Sequence, residues 1–511
     1  MQESYTKNYL KIYFWQGISL LLNFLSMFVV IPYLTSDPTT YGIYSVCISF
    51  SIFLAYADLG FMGAGQKYAA EYFAKRDKGA EIKIIGFTNF ILAVFLLFFS
   101  VGFFILSQQP GLLVKGIDTI NQKYVASSLL LILAVFTPTT LLQRLLQMIF
   151  GIRMEDFIIQ RTNIIGSIFK ILSVLWFFRS GKYDIVGYFL FTQIVNLIAA
   201  LITLFIARKR YNYNFRNLFR SIYFNKAVFD QTKGLAFASL FMTVSWILYY
   251  ELDSVAIGKL LGANQVAVYA IGLTVLSFFR SILGILFSPF NVRFNHFVGS
   301  GDETALKSFY IQIVTILAPI VVFPIIVIAI LARPIVLTWV GVDYSSSIVV
   351  IQFLVFCNLF AFITYPTNFM LVAKERQKTL YFVSTLLPFI FWIGIAFTIS
   401  IWGVYSFAVF KLAAFLCSAI VLFKLMTSYL NLTILDSVKK IFFPMLLPIL
   451  FLISASFSVR GYLPQEKSKI NLLTVAVVMG GLILVSFVIQ YFASEKWRQQ
   501  MSKIAGLFKN K

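Results

Sequence analysis

The chain has 511 residues, 60% of them hydrophobic and 12% charged, and carries a formal net charge of +22. The apolar share is well above the globular average, and it falls in repeated runs of about twenty residues, enough for a helix to cross a hydrocarbon core of about 30 Å. A β-barrel would alternate apolar and polar residues over short strands. These runs do not alternate, so composition excludes a barrel and leaves an all-α polytopic membrane protein. The basic residues sit in short loops between apolar runs, an orientation bias rather than a nucleic-acid footprint, and no nucleic-acid partner is expected.

In chain order the runs give about fourteen candidate transmembrane helices, from a first centred on Asn23 to a last centred on Leu482. The first is too long for a secretory leader and lacks a small-residue cleavage site, so it reads as a span. Alternate loops carry most of the 42 Lys and Arg residues, among them Lys67 to Lys83, Arg144 to Arg161 and Arg293 to Lys307. Two of the opposite loops, Thr35 to Tyr41 and Ser400 to Gly403, carry none. This bias places both termini in the cytoplasm of a multi-pass membrane protein, which requires an even number of spans.

The densest basic run, Arg208 to Lys233, reads as a cytoplasmic connector between halves. A faint echo supports that division: Thr35-Ser36-Asp37-Pro38 leads into Tyr41-Gly42-Ile43-Tyr44, as Gly262-Ala263-Asn264 leads into Val266-Ala267-Val268-Tyr269. The expected organisation is an N-lobe over 1–210 with spans one to six and a connector over 211–233. A C-lobe follows over 234–428 with spans seven to twelve, then two extra spans and a basic tail over 429–511. Parallel six-helix repeats of this kind are common in transporters.

Polar residues recur at helical spacing inside several spans. Gln16, Ser19 and Asn23 lie on span one, Asn163, Ser167 and Lys170 on span five, and Trp246, Tyr250 and Asp253 on span seven. Ser and Thr stripes also serve helix packing, but Gln16, Asn23 and Tyr250 are candidates to line a wet cavity. Lys170, Arg280 and Lys411 are cations inside spans, each costing about 2.5–3.5 kcal/mol on insertion scales. Acids near mid-span are scarce, so a cationic, water-filled cavity that binds an anion is the expected account. Asp58 is a candidate for gating or ion coupling, or caps a helix end or pairs with Lys67. Glu251 and Asp253 are candidates for an outer gate, reachable by solvent and within reach of Lys259, near the far end of a helix running from Gly234 to Gly258. Arg144, Arg153, Glu155 and Asp156 read as a solvated cluster on the cytoplasmic face.

No catalytic triad, metal cluster or Walker loop is visible. The glycines of Gly60-Phe61-Met62-Gly63-Ala64-Gly65 follow an apolar helix rather than a strand, so they form no dinucleotide site. Cys47, Cys357 and Cys417 lie in apolar spans without ligand spacing, and His296, the one histidine, is expected in a loop. Neither an enzyme nor a bound cofactor or metal is expected.

Several short motifs carry a family resemblance. They are Tyr41-Gly42-Ile43-Tyr44 leading to Ala57-Asp58-Leu59-Gly60-Phe61, Glu251-Leu252-Asp253 before Gly258-Lys259-Leu260-Leu261-Gly262, and Gly403-Val404-Tyr405. With about fourteen spans, the chain resembles the polysaccharide transport family of the multidrug/oligosaccharidyl-lipid/polysaccharide (MOP) exporters, and within it the Wzx-type flippases of O-antigen and capsule assembly. The resemblance implies two six-helix lobes of MATE-like fold around a central cavity. It implies alternating access that moves an undecaprenyl-diphosphate-linked oligosaccharide to the outer leaflet of a bacterial cytoplasmic membrane. A polysaccharide polymerase and chain-length machinery would be partners, beside membrane lipids, and a proton or sodium gradient the driving force. The cationic cavity of Arg280, Lys411 and Lys170 would meet the diphosphate or an acidic sugar. A lipid II-type flippase and a MATE-like drug or cation antiporter are the alternatives. The cavity cations oppose the antiporter.

Overall fold

A computed structural model describes residues 2–509 except 55, 57, 180 and 212–214, without the side chains of 2–10, 503–509 and a few isolated positions. Ala57 of the family motif and part of the 211–233 connector therefore lie outside the described residues. Among the described residues every regular element is a helix. Eleven of these helices are long and apolar enough to cross a membrane, and two bent helix pairs bring the number to 13. The apolar helix Pro38–Leu54, 17 residues long, stands where the remaining expected span is placed.

Packing divides the chain into two compact units, Met1–Ala267 and Val268–Lys511. The first holds α1 (Gln2–Leu34), α2 (Pro38–Leu54), α3 (Phe61–Ala74), α4 (Lys78–Gln108), α5 (Ile120–Gly151), α6 (Phe157–Phe177) and α7 (Ile185–Tyr211). The short α8 (Phe215–Arg220), then α9 (Lys226–Tyr250) and α10 (Asp253–Leu260), complete it. Local chemistry starts several of these helices. Asp77 caps α4 by accepting from the Ala80 N–H, and Thr119 with Gln122 forms a reciprocal capping box on α5, each satisfying a backbone donor that the first turn leaves free. Asn225 caps α9 in the same way.

Two glycines of the family motifs have steric reasons. A Cβ on Gly42 would come within 1.9 Å of the Ala263 carbonyl oxygen, so only glycine lets α2 approach that backbone. Gly60 holds φ +81° at the head of α3, with the Ala236 carbonyl oxygen of α9 2.5 Å from where its Cβ would be. The left-handed turn and the close contact with α9 both require the missing side chain.

Within this unit α5 packs on α2, α4 and α7, and α6 packs on α1 and α7. Charged residues lock the end that carries the α5–α6 turn. Arg153 pairs with Glu81 at 2.7 Å, with side chains only 9% and 1% exposed, and lies over the rings of Phe73 and Tyr211 at 4.7 and 4.8 Å. Glu155 accepts two hydrogen bonds from Arg210, at 2.6 and 2.7 Å, and another from the Tyr211 hydroxyl. The cluster expected to be solvated is thus, at Arg153, a buried clamp. A charge at that depth is tolerable only when paired, and Glu81 of α4 supplies the pair.

The second unit contains most of α11 (Ala263–Gly299), then α12 (Glu303–Ile330), α13 (Ala332–Trp339), α14 (Ser347–Phe356), α15 (Ala361–Ala373), α16 (Gln377–Trp402) and α17 (Val404–Tyr429). It ends with α18 (Ile434–Phe442), α19 (Leu446–Arg460), α20 (Lys469–Ala493) and α21 (Glu495–Lys509). His296, expected in a loop, falls in the last turn of α11, a helix of 37 residues that outruns its apolar span. α12 packs on α14, α15, α19 and α20, which joins the last two spans to this unit. Prolines lie inside α5, α12, α15 and α16, and α14 meets α15 at a 44° bend.

Candidate functional site

The first unit encloses a polar cavity of about 710 Å³. Each wall is a polar stripe at helical spacing, whose residues share one helix face. Gln16, Ser19 and Asn23 come from α1, and Gln160, Asn163, Ser167 and Lys170 from α6. Thr137, Thr140, Gln143, Arg144 and Gln147 come from α5, and Gln193, Asn196 and Thr203 from α7. Ser51 of α2, Gln66 of α3 and Asp156 at the head of α6 complete the polar lining. From Asp156 to Lys170 the wall runs about 21 Å along α6 at 1.5 Å per residue, so the cavity reaches well into the depth of a bilayer.

Nine of the lining residues are Asn or Gln, and the charged ones are two cations, Arg144 and Lys170, and one acid, Asp156. Amides donate and accept together, as hydroxyls do, so the wall suits a ligand rich in hydroxyls more than a single strong charge. Lys170 donates from Nζ to Asn196 Oδ1 at 2.5 Å, bridging α6 and α7. Arg144 donates to Gln147 Oε1 at 3.0 Å. Burial holds the Asp156 carboxyl above the ordinary aspartate range, against a smaller opposing effect of a backbone hydrogen bond.

The structure thus brings together Gln16, Asn23 and Lys170 of the residues expected from sequence. It also places Arg144, Gln143, Gln147, Gln193 and Asn196 there, which sequence reading did not assign to a cavity. Their signal was present on α5, where Thr137, Thr140 and Gln147 recur at intervals of three and seven.

The other candidates lie elsewhere. Asp58 Oδ2 accepts from the Met62 N–H at 2.9 Å, a cap on the start of α3, and its charge acts on Arg144. Lys67 pairs with Glu71 instead. Glu251 and Asp253 are 4% and 0% exposed, which corrects the expectation of solvent-reachable acids. The helix from Gly234 ends at Tyr250, Glu251 follows as its C-cap, and Asp253 opens α10, which packs on α2. Asp253 accepts from the Ser254 N–H at 2.7 Å, and Lys259 donates to the Leu112 carbonyl rather than to either acid. Tyr250 is 2% exposed and stacks on Trp246 with centroids 4.4 Å apart.

In the second unit Lys411 is 1% exposed, with Nζ over the rings of Phe391 and Tyr269 at 5.4 and 5.9 Å. Arg280 is half-buried on α11 and lies close enough to Tyr365 of α15 for its charge to act on that hydroxyl.

No family model and no curated protein matches the sequence. Solved structures do match. One is the lipid II flippase MurJ in an inward closed conformation, with TM-score 0.65 and 14% identity over 95% of this chain and 99% of that one. Another is an inward-facing multidrug resistance MATE transporter of the MOP superfamily, with TM-score 0.63 and 13% identity over 81% of this chain and 95% of that one. A third is a MOP superfamily transporter from Pyrococcus furiosus, described as having a binding pocket of reverse polarity that suggests a different function. It matches with TM-score 0.52 and 12% identity over 84% of this chain and 97% of that one. At these identities the likeness fixes the fold: this chain has the helical fold of the MOP superfamily's flippases and transporters.

Proposed function

We propose that the chain is a flippase for lipid-linked oligosaccharides. It would move an undecaprenyl-diphosphate repeat unit from the inner to the outer leaflet of a bacterial cytoplasmic membrane by alternating access, in O-antigen, capsule or exopolysaccharide assembly. The observation that carries the reading is the composition of the first unit's cavity, with nine amides, six hydroxyls and a cationic excess of one in a wall of membrane helices. A saccharide offers hydroxyl donors and acceptors that amides can meet on both counts. The excess cation favours a diphosphate or acidic sugar over a cationic drug. In this reading Gln16, Asn23, Lys170 and Asn196 contact the headgroup. Arg280, half-buried in the second unit, is proposed for the diphosphate, which guanidinium meets with two parallel hydrogen bonds. Asp58 is proposed as the proton or sodium coupling acid because its charge acts on Arg144 of the cavity wall.

A lipid II-type flippase is the second reading, favoured by the fold likeness to MurJ over 95% of this chain. Deleting the gene and extracting the membrane lipids separates the two. Accumulation of an undecaprenyl-linked repeat unit with loss of surface polysaccharide supports the first. Accumulation of lipid II with arrested wall synthesis supports the second and overturns the first.

A further inference from the structure

On the opposite side of the α6–α7 pair from the polar cavity lies a second hollow of about 600 Å³. Gly166, Val195 and Ala199 line both, so the two share a thin wall. This hollow is an apolar groove whose floor includes Ile165, Phe169, Ile198 and Ile202. These four side chains are 58%, 56%, 50% and 48% exposed, as suits a face that meets acyl chains rather than water.

The groove has one charged end. Arg161 and Arg210 line it there, and Lys11 joins them, with Nζ 5.3 Å from the centroid of Phe157, another groove residue. Glu155 neutralises Arg210 through its two hydrogen bonds. Arg161 is exposed and lies 5.2 Å over the Trp15 ring, a contact that orients a guanidinium without cancelling its charge. The groove from Phe157 to Phe169 spans about 18 Å of helix, just over half of a hydrocarbon core of about 30 Å. Its dimensions therefore match one leaflet, with cations at headgroup level and apolar side chains below.

We propose that this groove is a binding site for an anionic glycerophospholipid of the leaflet on the basic side. One acyl chain lies along the α6–α7 groove, and the phosphate rests on Arg161. Cations at this level attract anionic lipids, and the guanidinium fork matches two phosphate oxygens. The length of the groove selects a chain confined to one leaflet over a long isoprenoid. The proposal does not depend on what the polar cavity carries.

The test reconstitutes the full chain in vesicles of equal phosphatidylglycerol and phosphatidylcholine, releases it in mild detergent and counts retained lipids by native mass spectrometry. The parent protein is expected to retain phosphatidylglycerol at least about fivefold over phosphatidylcholine. Both carry a phosphate, but only phosphatidylglycerol has a net negative charge, and one basic residue at the surface favours it by about 1 kcal/mol. Arg161→Gln should bring that ratio near one, while Arg161→Lys keeps most of it. Ile165→Trp, which fills the groove and leaves the charge, should lower total retained lipid. Equal retention of the two lipids by the parent protein, or an unchanged ratio in Arg161→Gln, overturns the proposal. So does displacement of phosphatidylglycerol by an equal amount of added polyprenyl phosphate, which would make the groove a seat for the isoprenoid instead.

Discussion

Lys170 and Lys411 are both lysines inside apolar spans, and their local sequences, Ile168-Phe169-Lys170-Ile171 and Val409-Phe410-Lys411-Leu412, are nearly interchangeable. Their surroundings are not. Lys170 ends on the Asn196 amide in a cavity walled by polar side chains. Lys411 is 1% exposed and ends between two aromatic rings. An ammonium in a membrane costs about 2.5–3.5 kcal/mol on insertion scales, and these are two ways to offset it. A single amide acceptor in a polar cavity is the arrangement that, in the proposed reading, leaves the Lys170 charge for a headgroup. Ring faces attract the charge in place, and Lys411 holds α17 to the rings of α11 and α16.

The largest expected effect comes from breaking the second arrangement. Lys411→Ala removes a fully buried side chain and both ring contacts, a loss of about 2–5 kcal/mol by analogy with large-to-small substitutions in packed interiors. It should appear as a clear drop in the midpoint of thermal unfolding in detergent. Lys411→Met keeps most of the volume and should lose less than the alanine variant, with a cation–π share of about 0.5–2 kcal/mol. Normal unfolding of Lys411→Ala together with abolished export would make Lys411 a ligand contact and dissolve the contrast.

Lys170→Met sharpens the contrast from the other side. The cavity can admit water where the ammonium was, so unfolding should move little. Export should fall about tenfold or more, the equivalent of one lost charged hydrogen bond of about 1.5–3 kcal/mol to the headgroup. The pair of measurements, unfolding midpoint and export rate, should therefore cross over between the two lysines. Asn196→Ala should do less than either. It frees the Lys170 ammonium from its acceptor, and water replaces the amide at little cost, so a loss of about two- to fivefold in export is expected with unfolding unchanged.

The sequence made the polar cavity partly legible. Gln16, Ser19 and Asn23, and Asn163, Ser167 and Lys170, repeat at helical spacing and all line it. The α7 wall was hidden because Ala199 and Ala200 interrupt its polar face between Asn196 and Thr203. Arg144 was hidden because charge bias read it with the loop that follows. The helical class and the number of spans follow from apolar run length, which is a local property. The fates of Lys411, Glu251 and Asp253 are not local. Rings on α11 and α16 lie against Lys411, and Asp253 opens α10, which packs on α2. Contacts between segments far apart in the chain leave no mark in the spacing of any one of them.

The smallest effect tests the acid in the cavity of Lys170. Burial raises the Asp156 carboxyl above its ordinary range, and an unperturbed aspartate titrates near 3.9. The folded protein therefore holds this proton more tightly than the unfolded chain does. Ionisation then counts against folding: stability falls as pH rises from the unfolded value toward the raised folded one, and the penalty is complete above the latter. Asp156→Asn removes the penalty, and the side chain makes no capping hydrogen bond that the change would lose. The variant should unfold at a slightly higher temperature than the parent protein at neutral pH, by a small fraction of the shift expected at Lys411. The difference should shrink as pH falls through and below the ordinary aspartate value of about 3.9, where the carboxyl becomes neutral like the amide. A difference that persists unchanged at low pH would mean that the introduced amide gains from packing rather than from the missing charge. The two cations of this cavity would then stand without a titrating counterweight.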